Sequence, residues 1–391
     1  MARRRVAVTG CGALTPVGIG IDAFWRGLCA PQPATAQRRV EGFDPEPYFD
    51  NPKETRRADR FSQLALAAAT EALAQAGTLT ADPARVGVWV GTGVGGIDTL
   101  ETQIIVCHDK GPKRVSPFLV PMMMANAATA SISMRWGFQG PCENTVTACA
   151  AGTHSIGNAA RLIQAGVCDV VVTGGSESSL CTTAIAGFSN MTALSSSGVS
   201  RPFDRDRDGF VIAEAAGILV LEEWDMAIAR GATILAEVLG SASTADAHHI
   251  TAPAPGGSGA IRCMRQALAD AGVTPADVRH INAHGTSTPL NDAAEAAAMA
   301  EVFGDLRPIV TSTKGVTGHA LGAAGAIEAI AVVLAMQHRL VPPTDGHVHD
   351  DPDLAPIDLV VGEPRPWEPG VAISNSFGFG GHNGTVVLRS V

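Results

Sequence analysis

VTACAAGTHSIGNAARLIQAG, residues 146–166, decides how the rest of the chain is read. It sets one thiol, Cys149, among Ala148, Ala150, Ala151 and Gly152, just where a helical pattern begins. Ile156, Ala159, Ala160 and Ile163 recur at helical spacing, and Gly166 ends the run. A short apolar strand, VCDVVVTGG, follows. A thiol at a helix N-terminus lies near free backbone N–H groups and the positive end of the helix dipole, which favour thiolate and lower its pKa. Small neighbours leave room for a substrate carbonyl to approach the sulfur, as an activated nucleophile requires. The competing reading is a buried cysteine acting as inert filler. Cys142, ahead of the preceding strand, is read as packing.

Working outward, an EALAQAG run at 71–77 returns as QALADAG at 266–272, each closing an Ala-rich helical pattern at a glycine. A polar link and a strand follow each copy, VGVWVGTG in the first and HINAHGTST in the second. NTVTA with Cys149 and a long helix then has its counterpart in PIVTSTKGVTGHALGAAG and another long helix. The chain reads as two related α/β halves, 1–235 and 236–391, whose matching loops converge on one site.

That convergence would bring three second-half groups to Cys149. His284 lies in NAHGTSTPLND, and Lys314 and His319 lie in STKGVTGHALGAAG. Both histidines fall at strand ends in small-residue loops, where functional groups gather. Lys314 is one of four lysines beside 24 arginines, so a compact ammonium is wanted there. Glu328 sits inside an apolar helix and needs a cationic partner, for which Lys314 is the obvious choice.

The formal charge of −10 argues against a general nucleic-acid binder. Eight cysteines form no CxxC pair and suggest neither a disulfide framework nor a zinc site, which fits a reducing cytoplasm. MARRRVAVTGCGALTPVG reads as a buried first strand rather than a leader, since Gly10, Gly12 and Pro16 break its apolar run. The longest apolar stretch, AIEAIAVVLAM, carries Glu328 and is read as a core helix, not a membrane span. GTGVGG at 91–96 matches a dinucleotide fingerprint in spacing, but no second strand ending in an acidic residue follows; its glycines are assigned to tight turns. DGHVHDD at 345–351 and His248–His249 are read as solvated loops, and no metal is expected.

VTACAAG, NAHGTSTPLND, TKGVTGHALGAAGAIE and NSFGFGGHNG together resemble the β-ketoacyl-acyl-carrier-protein synthases of the elongating, synthase II type, over essentially the whole chain. The resemblance implies a thiolase-like α/β fold, two related halves in a five-layered αβαβα core, usually dimeric. It implies Cys149 as acyl-accepting nucleophile, His284 and His319 as the decarboxylation pair, and Lys314 with Glu328 as their supporting ion pair. Phe379 would be a mobile gate whose N–H, with that of Cys149, forms an oxyanion hole; Phe377 would help keep the site dry. Thr286 and Thr288 would bind a phosphopantetheine arm supplied by an acyl carrier protein, with no other cofactor. Leu100 would be a pocket-wall residue near a subunit interface. Lys53, Arg56, Arg57 and Arg60 fall at i, i+3, i+4 and i+7, one face of a helix, and would dock the acidic carrier protein.

The neighbouring activities fit less well. A thiolase would use a second cysteine near the C-terminus, and none follows Cys263. An initiating synthase would show a histidine–asparagine pair. A non-catalytic chain-length factor would lack the nucleophile. The catalytic ketosynthase of a type II polyketide synthase, paired with a chain-length-factor homologue, stays open as the alternative to fatty-acid elongation.

Overall fold

In the computed structural model, which describes residues 3–32 and 35–391, the first strand β1 (Val6–Thr15) is buried along its whole length. Its Gly10 and Gly12 are required by packing. A Cβ on either would sit 2.1 and 2.0 Å from the carbonyl oxygens of Ala72 and Ala68 in helix α1 (Arg60–Ala76). Asp59 caps that helix by accepting the Phe61 N–H, and Gly77 ends it at a positive φ of 75°.

The first half continues through β2 (Val86–Gly91), α2 (Ile97–Lys110), β3 (Cys142–Thr145), α3 (Ala151–Gln164), β4 (Val170–Glu177) and β5 (Ala215–Glu223). The second comprises β6 (Ala236–Ala245), α4 (Ser258–Ala271), β7 (Val278–Asn282), α5 (Pro289–Phe303), β8 (Ile309–Thr311), α6 (Ala324–His338), β9 (Val371–Gly378) and β10 (His382–Arg389). The strand orders are β3-β2-β4-β5-β1 and β8-β7-β9-β10-β6, the same path walked twice. In each, the first three strands run parallel and the last two pairings are antiparallel. The EALAQAG and QALADAG runs close α1 and α4, which occupy matching positions.

The chain has the thiolase-like five-layer arrangement. Helix α1 covers the outer face of the first sheet, and α4 with α5 the outer face of the second. Helices α3 and α6 share the central layer. The two sheets also touch edge to edge through a short antiparallel ladder, Ala7 with Glu237 and Val8 with Ala236, so their hydrogen bonding is continuous.

Residues 324–336 of α6 are all buried, as expected of a helix apolar on every side. The apolar stretch is longer than the AIEAIAVVLAM reading allowed. Leu321–His338, 18 residues of mean hydropathy 1.5, has the length and composition of a membrane span, yet 89% of it is buried inside the fold. A central layer between two sheets demands the same composition as lipid does.

Candidate active site

Cys149 lies between β3 and α3, and the residue before it, Ala148, is held at a φ of 49°. That left-handed conformation strains an alanine and turns the chain sharply at the thiol. The small neighbours have a second purpose beyond access. A Cβ on Gly152 would sit 2.8 Å from the Ala326 N, so α3 and α6 approach at backbone contact. A Cβ on Gly378 would lie 2.9 Å from the Thr147 oxygen and 3.0 Å from the Cys149 N, which brings the end of β9 against the thiol.

Burial pushes the Cys149 thiol up to about 12, against the lowering expected from its helix-start position. The Lys314 charge and the N–H groups of Phe379 and Cys149 oppose that rise without cancelling it. Desolvation of a sulfur anion outweighs a dipole confined to the first turn. The resting group is therefore a thiol.

His284 follows β7. Its backbone N–H and that of Gly285 donate to the two oxygens of Glu295, both at 2.8 Å. Its ring meets that of His319 at 5.4 Å between centroids and 85° between planes. Lys314 Nζ lies 3.3 Å from His284 Nδ1 and is also bonded to Glu328. An ammonium has only protons to offer, so Nδ1 accepts and the imidazole proton sits on Nε2. Burial, together with the Lys314 charge, holds both histidines well below their usual range and hence neutral.

His319 is fixed differently, by its backbone. Its N–H donates to Val211 at 2.7 Å and its carbonyl accepts from Ala213 at 3.0 Å, while its ring packs edge-on to Phe210 at 5.1 Å. Lys314 and Glu328 are each 1% exposed. Burial raises the Glu328 carboxyl to about 7, with Lys314 opposing.

Cys149, His284, His319, Thr286, Thr288, Phe377 and Phe379 line one cavity of about 340 Å³. The two threonine hydroxyls are 2.8 Å apart. Phe377 lies 5.8 Å from the His284 ring. Gly380 and Gly381, both at positive φ, turn the chain after Phe379, and the Gly380 N–H donates to Ile250 in the DAHHITAPAP loop at 2.7 Å. Lys314 and Glu328 stand behind the histidines and do not line the cavity.

One sequence expectation is corrected, that of a single basic helix face. Leu100 is half-buried on α2 and lines no part of the cavity, while the same helix exposes Ile104 and Ile105. The four basic residues do not share one helix face, because Asn51 and Asp59 cap two separate helices, Pro52–Thr55 and α1. Lys53, Arg56 and Arg57 are exposed, but Arg60 is committed inward, pairing with the buried Glu214 at 2.6 Å.

Residues the sequence reading passed over include Glu295 and Asp292, buried carboxylates three apart on α5 that hold the His284 and Ser287 loop. Acidic groups inside the alanine-rich LNDAAEAAAMA were the available signal. Lys113 and Arg114 were also missed. They are exposed in the loop leading to Phe118, whose ring lies 4.6 Å beneath the Arg57 guanidinium. Of the DGHVHDD loop, His349 meets Asp206 at 2.9 Å beside Asp204, whose oxygens already accept three backbone N–H groups.

The β-ketoacyl synthase N-terminal domain profile matches residues 31–227 and the C-terminal domain profile residues 235–347. The chain belongs to the β-ketoacyl synthase family. A 3-oxoacyl-[acyl-carrier-protein] synthase 2 of Synechocystis sp. is 44% identical over 100% of this chain and 99% of its own length. Among solved structures, the ishigamide ketosynthase/chain length factor superposes with a TM-score of 0.93 at 35% identity, covering both chains fully. A type II polyketide ketosynthase in complex with its acyl-carrier protein and bound to the hexaketide gives 0.90 at 31%, again with full coverage of both. Within this β-ketoacyl synthase, the thiol comes from the first half and both imidazoles from the second.

Proposed function

We propose that the protein is a 3-oxoacyl-[acyl-carrier-protein] synthase of the elongating type, joining malonyl-carrier protein to an acyl chain held on Cys149. The observation that carries this reading is the shared cavity: one thiol, two neutral imidazoles and two hydroxyls converge there, with a lysine fixing the tautomer of His284.

In the first half-reaction the Cys149 sulfur attacks the thioester carbonyl of the acyl arm and gives up its proton. The oxyanion faces the N–H groups of Phe379 and Cys149, and the arm thiol leaves with a proton. Losing one such donor typically costs about 3 kcal/mol of transition-state stabilisation. In the second, the malonyl carboxylate departs as carbon dioxide and its bonding electrons move into the thioester carbonyl. His284 Nε2–H and an N–H of His319 stabilise the enolate oxygen. The enolate carbon attacks the acyl group, and the tetrahedral adduct collapses to a 3-ketoacyl thioester and the Cys149 thiolate, which is reprotonated. Phe377 and Phe379 keep water from the intermediate. Thr286 and Thr288 hold the phosphopantetheine arm, and the carrier protein docks on Lys53, Arg56 and Arg57 with Lys113 and Arg114 beside them.

A second subunit of this fold covers the open edge strand β3, whose Cys142 and Glu143 are exposed, and the exposed apolar side chains Ile104, Ile105 and Met134. The halves divide at 235/236, ahead of β6. All eight cysteines are free, which supports a reducing compartment. The polyketide reading draws on the ketosynthase/chain-length-factor neighbour and predicts a cysteine-lacking partner in place of a second copy.

The test is intact-mass analysis after exposure to carrier-bound acyl groups. One acyl adduct on Cys149 is expected, and chase with malonyl-carrier protein should release the 3-ketoacyl product. His284→Ala and His319→Ala should acylate but fail to turn over malonyl groups. A wild-type chain that takes up no acyl group overturns the proposal.

A further inference from the structure

The GTGVGG run does close on a carboxyl group, but an internal one. Its Thr92 hydroxyl and Gly93 N–H close on Glu177, the fully buried last residue of β4. Glu177 Oε2 accepts from Gly93 at 2.5 Å and from the Gly322 N–H at 3.1 Å. Its Oε1 accepts from the hydroxyls of Thr92 at 3.1 Å and Ser179 at 3.2 Å. Gly322 lies three residues after His319, and Gly152 three residues after Cys149.

Backbone packing around this carboxylate has no slack. A Cβ on Gly322 would come within 2.2 Å of the Gly93 N, and one on Gly93 within 2.6 Å of Glu177 Oε2. Cβ atoms on Gly175 and Gly152 would come within 2.6 and 3.0 Å of the Gly322 oxygen. Thus the end of β4, the glycine loop after β2, the start of the Cys149 helix and the turn bearing His319 meet around one side chain.

We propose that Glu177 is a positioning residue for carbon–carbon bond formation: its carboxylate, gripped by the glycine loop on one side and the His319 turn on the other, sets the separation between the Cys149-bound acyl group and the His319 imidazole. It touches no substrate. Two backbone N–H donors, which can only donate, fill Oε2, and this favours the ionised form. Burial opposes it. Around Cys149 the Glu177 charge disfavours thiolate, the Lys314 charge favours it, and the neutral rings of His284 and His319 add no charge.

The inference rests on the synthase reading, so the test separates the two half-reactions in the full chain with its carrier protein. A misplacement of about an ångström can cost about 100-fold where two reactants must align. Glu177→Gln replaces one oxygen, the acceptor for two of the four donors, with an NH2 group and removes the charge. It should leave Cys149 acylation within about threefold while single-turnover condensation from the acyl-enzyme falls about 100-fold. With the negative charge gone, the pH profile of Cys149 alkylation by iodoacetamide should shift to lower pH. Gly93→Ala, which keeps the charge but pushes the carboxylate, should reproduce the split without the profile shift, and it serves as the test if Glu177→Gln does not fold. Equal loss in both half-reactions with an unmoved profile, or loss in neither, overturns the proposal. Failure of wild-type acylation would instead sink the synthase reading.

Discussion

The two halves of the molecule share a strand path and place a helix from each in the same central layer, yet they prepare opposite kinds of chemistry. At the start of α3 the first half presents a sulfur among alanines and glycines, with backbone N–H groups as its near polar company. At the matching end of α6 the second half buries an ion pair, two neutral imidazoles and the Glu295 clamp. The duplicated fold supplies the convergence of strand ends. Which chemistry appears there is decided by a few loop residues, because changing those leaves sheet pairing and layer packing intact.

Cys149→Ala breaks the comparison most sharply. It should abolish condensation, with a loss of at least about 10³-fold, since no other group can carry the acyl chain. Carbon dioxide release from malonyl-carrier protein should persist, because the second half is untouched. Separate product assays for ketoacyl thioester and carbon dioxide check this.

Next in size is the ion pair. Lys314→Met leaves Glu328 buried and uncompensated, and breaking such a pair typically costs about 3–5 kcal/mol. The loss should appear in denaturant unfolding. Lys314→Met combined with Glu328→Gln should recover most of that stability but not decarboxylation, because nothing then fixes the His284 tautomer.

His280 sharpens the contrast within one strand. It lies on β7 ahead of His284 but packs against Trp367 at 5.3 Å, neither ring nitrogen has a hydrogen-bond partner, and burial lowers it to about 3. A depressed histidine contributes stability that is present above about 6.5 and lost as pH falls toward the folded value. His280→Phe should remove that loss, so its stability relative to the parent should improve by about 2 kcal/mol between pH 6.5 and 5. Urea midpoints across that range measure it.

The smallest effects concern the basic surface. Arg57→Glu should raise the KM for carrier protein several-fold and weaken its salt dependence, at little cost in stability. Arg60→Ala should do the reverse, lowering the midpoint by stranding Glu214 while sparing KM.

Much of this was legible along the chain. The EALAQAG and QALADAG copies mark matching helices, and the strained turn, two histidines and buried pair each sit in a block whose composition departs from its surroundings. The basic stretch misled because the spacing of Lys53 to Arg60 fits one helix, whereas Asp59 and Asn51 start two. Glu177 was invisible because its four donors come from three separate segments.

By itself, the order of residues determined the two-fold α/β plan, the candidates that meet in the cavity and the need of Glu328 for a cation, since periodicity, glycine placement and a carboxylate in an apolar helix are local signals. Only the tertiary structure decided the protonation landscape: a thiol raised to about 12, neutral imidazoles, and a guanidinium turned inward. Those depend on desolvation and on charges brought close from distant segments, and neither quantity exists until the chain has folded.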